Sequence, residues 1–373
     1  MTTRLVQFAR VLAIAQLFVP ASWGQEAATQ SGELPKPTLP ATAEKNKNVP
    51  AAAVAGLHTE LTKISSEIAQ GFLDPLRCDS DGNLYLRTAP SGVGAIHKLN
   101  SKGVRVALFQ PKSADVKVNF PLSFDIAPNG DVYQLISAFE TTRYVFVYDK
   151  DGGLKSEIKL QQPRFAFFPS KIAVFPNGDL LVSGLEHDKD RDNQTLRPFT
   201  GIFSSDGTLR RELTLKDDKT IYDMATSGNP KVTPPENPSA NYAVSQGVAE
   251  TGADGNVYLM RRLSPAIIYA ISPGGSVHRF EVDPGQRDFL PDSMHVVGNR
   301  IAVLFWEPQT NEEILKVVDL QGHDIAVYDE PAEKDGGHTL GLAFVCYAQN
   351  PERFIFLETM DDEKLGLMTA TPK

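Results

Sequence analysis

Five successive segments share one plan, an apolar strand, a tight polar turn and a second apolar strand. The turn is Asp-Gly or Asn-Gly in the first four, and a sixth segment keeps the plan with a longer turn. In five of them a second hairpin of the same kind follows. The first turn glycines Gly82, Gly130 and Gly178 recur 48 residues apart. Together these observations predict an all-β chain: a six-bladed β-propeller of four-stranded antiparallel blades.

The first hairpins lie at residues 76–86, 124–133, 172–182, 248–259 and 294–303, and a sixth with a longer turn at 342–357. The second hairpins lie at 96–108, 144–154, 201–209, 267–277 and 315–325. Asp-Gly and Asn-Gly suit two-residue hairpin turns, whose central residues need positive φ. The interval between Gly178 and Gly255 is long, which fits a Pro/Asn-rich insertion near residues 217–245. A sandwich would not explain a double hairpin recurring in register.

The sixth unit runs out after three strands, and an open ring would leave an exposed sheet edge. Residues 58–66 are expected to pair with it as the outer strand. A short helix over the ring is the alternative, since Leu61, Ile64 and Ile68 also fit helical spacing.

Ahead of the repeats, residues 1–24 read as a signal peptide. Arg4 and Arg10 precede an apolar run from Val11 to Val19, and Ser22 and Gly24 offer small residues to a peptidase. That run is too short to span a bilayer, and no later stretch is long and apolar enough to do so. Residues 25–56, rich in Ala, Pro, Thr, Glu and Lys, read as a flexible linker. The propeller occupies 57–373. The chain is expected to be exported, to the periplasm or beyond the cell.

The net charge of -9 becomes more negative once Arg4 and Arg10 leave, so nucleic acid is not an expected partner. A monomer with no membrane span after cleavage is expected. Cys78 and Cys346 fall on the inner strands of the first and last blades, which a closed ring makes neighbours. They read as two buried reduced thiols, because inner strands of adjacent sheets often stand too far apart for a disulfide. The export compartment would permit the alternative.

No nucleophile elbow, P-loop or dinucleotide fingerprint occurs, and no catalytic residue is assigned. The stretch from His187 to Asn193 alternates Asp188, Asp190 and Asp192, as a calcium loop would. It lacks the turn glycine, has Phe199 where a bidentate Glu would sit, and carries Lys189 and Arg191. It reads as a solvated loop, so no metal or cofactor is assigned. Cys78, Ile126, Val174 and Val345 stand where inner-strand metal ligands would be needed, so the inner strands read as lacking polar clusters.

Loop asymmetry points elsewhere. The connections from second to third strand, and from blade to blade, are long and varied, and both sets emerge on one face. Arg87, Arg143, Arg164, Phe165, Tyr242, Arg261, Arg262, Trp306 and Glu307 lie at or near these loops. Arginines and aromatics are the side chains best suited to binding hot spots.

The runs from Asp81 to Leu86 and from Val145 to Gly153 resemble NHL-type repeats of six-bladed propellers, of the NHL-like or TolB-like kind, over residues 70–373. The resemblance implies the architecture; peptide binders, sugar lactonases, lyases and scaffolds share it. Lactonase-like members hold calcium at the channel mouth, but no acidic and amide set here matches theirs position by position. The histidines on which lyase-like members rely are here dispersed at His58, His97, His187, His278, His295, His323 and His338. The expected function is a binding module using the loop-rich face for a protein, peptide or glycan. The alternative is a metal-dependent lactonase- or lyase-like enzyme working at the channel mouth.

Overall fold

The computed structural model describes residues 54–63, 72–88, 94–139, 142–163, 166–187, 196–221, 241–285, 289–330, 340, 343–359 and 365–373. They build six antiparallel sheets in a ring, one per repeat. Blade one comprises Phe72–Cys78, Leu84–Thr88, Ile96–Leu99 and Arg105–Phe109; blade two comprises Val118–Ile126, Val132–Ala138, Arg143–Tyr148 and Leu154–Lys159. Blade three comprises Phe167–Val174, Leu180–His187, Leu196–Phe203 and Leu209–Glu212; blade four comprises Val248–Thr251, Val257–Arg261, Ala266–Ile271 and Val277–Val282. Blade five comprises Leu290–Val297, Arg300–Trp306, Glu313–Asp319 and Asp324–Glu330. Blade six takes Ala343–Gln349, Glu352–Thr359 and Leu365–Pro372 from the C-terminus, and Leu57–Lys63 from the N-terminus.

The N-terminal segment therefore closes the ring as expected. Leu57–Lys63 runs antiparallel to Leu365–Pro372, with Leu57 opposite Pro372 and Lys63 opposite Gly366. Residues 57–63 are extended; residues 64–66 of the expected strand, and Ile64 and Ile68 of the helical alternative, lie outside the described residues. Val54 and Ala55, assigned to the linker by composition, add a parallel pairing to Val327 and Tyr328 at the outer edge of blade five. Two sheet edges are thus covered by one short segment.

The turns differ from expectation in one respect. Two-residue turns of the expected kind need positive φ at both central positions, whereas only the glycines have it: Gly82, Gly103, Gly130, Gly152, Gly178, Gly207, Gly255, Gly275 and Gly322. In the first of these turns Gly82 N–H donates to the Asp79 carbonyl at 3.0 Å, and Asp79 N–H to Asn83 O at 3.0 Å. This is the three-residue loop, a type I turn followed by a left-handed glycine. In the turn at Gly152 the residue three before the glycine locks it: Asp149 Oδ1 accepts the N–H groups of Asp151 and Gly153. The turn of blade six is shorter than expected, only Asn350 and Pro351 between the paired Gln349 and Glu352.

Each strand alternates its side chains between two seams, so the core is divided among the blade interfaces. Tyr85, Phe109, Phe124 and Phe146 fill the seam of blades one and two. Leu135, Val145, Ile172 and Phe203 fill the next, then Phe175, Leu181, Leu259 and Tyr269. Met260 and Met294 meet between blades four and five, Leu315 and Phe356 between five and six. Truncating one such side chain to Ala costs roughly 2–5 kcal/mol.

Leu84, Leu86, Val345 and Leu357 close the ring between blades six and one, and there Cys78 and Cys346 form a disulfide. This corrects the expectation of reduced thiols. The paired Cα atoms are 5.5 Å apart, within bonding range, because the innermost strands crowd the axis most closely of all. No helix among the described residues is long and apolar enough to cross a membrane.

Candidate functional site

In each blade the first-to-second and third-to-fourth turns share one face, while the remaining connections share the other. Arg87, Arg143, Arg261, Arg262, Trp306 and Glu307 all sit at second-to-third connections, hence on the loop-rich face. Arg164 and Phe165 lie outside the described residues. Tyr242 belongs to a short helical segment, Asn241–Ser245, but its side chain lies outside the described set.

The structure spends most of these arginines on joining blades. Arg87 Nη1 donates to the Pro121 carbonyl of blade two at 3.0 Å. Arg262, at the matching place in blade four, donates through Nε to the Pro291 carbonyl of blade five at 2.6 Å and pairs with Asp292 at 2.7 Å. Arg261 is 0% exposed and donates to Ser183 Oγ at 2.9 Å and Thr200 Oγ1 at 3.0 Å, both in blade three. Asp218 balances its charge at 3.3 Å. Burial pushes the Asp218 carboxyl up, against the pull of Arg261.

Glu307 is buried in its own loop, where it accepts the N–H groups of Gln309 and Thr310. Trp306 is half-buried. Arg143 is half-buried and lines a cavity of about 420 Å³ where blades two and three meet.

Two aromatics at this face were not singled out from the sequence. Phe120 is 38% exposed and Phe139 47% exposed, both at the loop-rich end of blade two. Lys117 Nζ lies 4.4 Å from the Phe139 ring centroid. Such a cation–π pair at an exposed site is worth about 0.5–1 kcal/mol. Phe120 lies in a strand and Phe139 just past the end of one, where phenylalanine is ordinarily a core residue, so only the fold reveals these two as exposed.

The channel holds a polar cluster drawn from all six blades, which corrects the reading of the inner strands as lacking one. Arg77, Asp125 and His295 are buried. The Arg77 guanidinium lies 3.9 Å from Asp125 Oδ1 and 3.9 Å from Glu250 Oε2. Its Nη2 donates to the Ala249 carbonyl at 2.7 Å, across the axis in blade four. His295 Nδ1 is 3.3 Å from Glu250 Oε2, and its Nε2 is 3.3 Å from the Phe344 carbonyl. Asp125 Oδ2 accepts Val174 N–H at 2.9 Å.

Burial pushes the Asp125 carboxyl up to about 6 despite the nearby Arg77. Burial acts on Glu250 the same way, but Arg77, His295 and the Val296 N–H together hold it below the usual carboxylate range. Cys78, Val174 and Val345 instead pack in the seams. In blades one and two the polar residue is the one just before, Arg77 beside Cys78 and Asp125 beside Ile126, and a shift of one residue in a strand reverses the side chain.

The arrangement neutralises itself. The guanidinium stands between the two carboxylates where a divalent ion would have to sit, so this set does not fit a calcium site. A cavity of about 20 Å³ beside Arg77, Lys171, Met294 and His295 is room for a water, not a substrate.

No family model and no curated protein matches the chain. Solved structures resemble it in fold. A structural-genomics protein of unknown function from Bacteroides thetaiotaomicron is 12% identical, with a TM-score of 0.49 over 85% of this chain and 76% of that one. A putative oxidoreductase (glucose dehydrogenase) from Thermus thermophilus is 14% identical, with a TM-score of 0.43 over 84% of this chain and 100% of that one. A protein of unknown function from Bacteroides caccae is 9% identical, with a TM-score of 0.43 over 68% of this chain and 80% of that one.

Proposed function

We propose that this chain is an exported β-propeller that works as a binding module, engaging a protein, peptide or glycan through its loop-rich face. The observation that carries the reading is the pair of exposed rings, Phe120 and Phe139, with Lys117 over the second. Large rings already outside the core give contact area at little entropic cost. The channel, filled by Arg77 and its partners, offers no comparable space.

Export rests on the signal-like residues 1–24 and draws support from the Cys78–Cys346 disulfide, a bond suited to an oxidising compartment. In this reading the linker ahead of Val54 tethers the domain, Val54 and Ala55 being paired with blade five. The metal-dependent lactonase- or lyase-like alternative gains the channel carboxylates and His295, but must displace Arg77 to use them.

The test probes immobilised glycan and peptide arrays with residues 25–373 and with the Phe120→Ala/Phe139→Ala double variant. A discrete set of wild-type signals, weakened at least about tenfold in the variant, is the expected result. Unchanged signals, or none, overturn the reading.

A further inference from the structure

A cavity beside Arg143 lies where blades two and three meet. Its volume of about 420 Å³ falls in the range of small-molecule sites, about 300–1,000 Å³. Lys159 and Gln161 reach it from the end of blade two, Asp206 and Thr208 from the outer turn of blade three, and buried Phe167 forms an apolar wall.

Half-buried Arg143 differs from Arg261 and Arg262 in its partners. Arg261 and Arg262 each have a carboxylate partner. Arg143 donates through Nη1 to the Thr142 carbonyl at 3.2 Å, its Nε is buried without a hydrogen-bond partner, and no carboxylate pairs with it among the described residues. Burial also disfavours its charged form. Nε is closed off from the cavity, but the terminal nitrogens of a partly desolvated guanidinium are complementary to an oxyanion.

The neighbouring groups narrow the class. Gln161 commits its Oε1 to Leu209 N–H at 2.9 Å, and its side-chain amide nitrogen has no partner among the described residues. Lys159 is exposed and forms no ion pair among the described residues. Across the cavity Asp206 accepts Ser204 Oγ at 2.5 Å and Thr208 N–H at 2.9 Å. Those bonds hold its carboxyl down to about 2, so it stays charged. One wall therefore attracts an anion; the other repels a second one and accepts hydroxyl donors.

We propose that this cavity binds a small polyhydroxylated carboxylic acid, its carboxylate on Arg143 and a hydroxyl on Asp206. The site is separate from the exposed rings of the rim, and the two readings stand or fall apart.

Calorimetric titration of residues 25–373 with glucuronate, glucose and inorganic phosphate tests it. Glucuronate should bind saturably. Glucose lacks the carboxylate and phosphate lacks the hydroxyl array, so each should bind at least about tenfold more weakly. Arg143→Gln should lose about tenfold or more in glucuronate affinity. Lys159→Glu, at an exposed position, should lose severalfold without disturbing the fold. The Phe120→Ala/Phe139→Ala variant should bind glucuronate as the wild type does. No saturable glucuronate binding, phosphate bound as tightly, or a wild-type affinity in both Arg143→Gln and Lys159→Glu overturns the proposal.

Discussion

The guanidinium of Arg77, on the inner strand of blade one, donates across the ring axis to the carbonyl of Ala249 in blade four. The same side chain lies between Asp125 of blade two and Glu250 of blade four. One residue thus ties three inner strands to a common centre. Replacing it with methionine keeps much of the volume but leaves two buried carboxylates without their cation. Breaking a buried pair this way costs roughly 3–5 kcal/mol. Urea unfolding of Arg77→Met should show that loss, and the Arg77→Met/Glu250→Gln double variant should recover part of it. A loss under about 1 kcal/mol would mean the cluster is not coupled as the distances imply.

Asp125 makes stability depend on pH in an unusual direction. Its carboxyl is raised from 3.8 to about 6 by burial in the folded protein. Between those values the unfolded chain has released a proton that the folded chain keeps, so stability falls as pH rises through the window. By pH 7 the penalty is roughly 3 kcal/mol. Glu250 is shifted down and works oppositely, losing its contribution as pH falls through its folded value. Comparison with Asp125→Asn isolates the first effect, since asparagine can still accept Val174 N–H. The variant should match the wild type near pH 4 and become progressively more stable relative to it up to pH 7. A difference that stays flat, or shrinks, across that range contradicts the assignment.

Cys78 and Cys346 are 268 positions apart, so their bond closes nearly the whole propeller into one covalent loop. Constraining so long a loop in the unfolded chain is worth at most about 5 kcal/mol, and typically 2–4. The Cys78→Ser/Cys346→Ser variant should lose stability on that scale, and reductant should lower the wild type to the same level. Native oxidised protein should titrate no thiol. Two titratable thiols in protein recovered from an oxidising compartment would contradict the pairing.

The architecture was legible because it is written in local signals that repeat. Gly82, Gly130 and Gly178 mark equivalent turns, and the shortfall of strands in the last unit points to residues near His58. Loop length was misread because Asp-Gly and Asn-Gly serve both the two-residue turn and the bulged three-residue one; register, not composition, separates them. The channel was misread for a related reason. Arg77 and Asp125 immediately precede Cys78 and Ile126, so taking the wrong phase of the two-residue alternation put the apolar neighbours at the axis. Arg87 and Arg262 looked like rim residues because their acceptors, the carbonyls of Pro121 and Pro291, belong to other blades. Nothing within one repeat reveals a partner in the next. Phe120 and Phe139 carry no sequence mark of exposure at all.

The outer turns offer a direct measure of how tightly neighbouring blades abut. Gly207, in the outer turn of blade three, has φ of 87°, and a Cβ built on it would lie 2.2 Å from the Lys159 carbonyl oxygen of blade two. Its own carbonyl accepts Gln161 N–H at 2.8 Å, so the turn has little freedom to retreat. Gly285 has nearly the same φ, 86°, but nothing within 4 Å of the added atom. Alanine at either position meets the backbone penalty of the left-handed region, about 1 kcal/mol. Only at 207 must it also push two blades apart. Gly285→Ala should therefore cost about 1 kcal/mol in urea unfolding, and Gly207→Ala clearly more, about 2–4 kcal/mol. Equal losses would show that the blades yield at this contact, and that the glycine is kept for its dihedral angle alone.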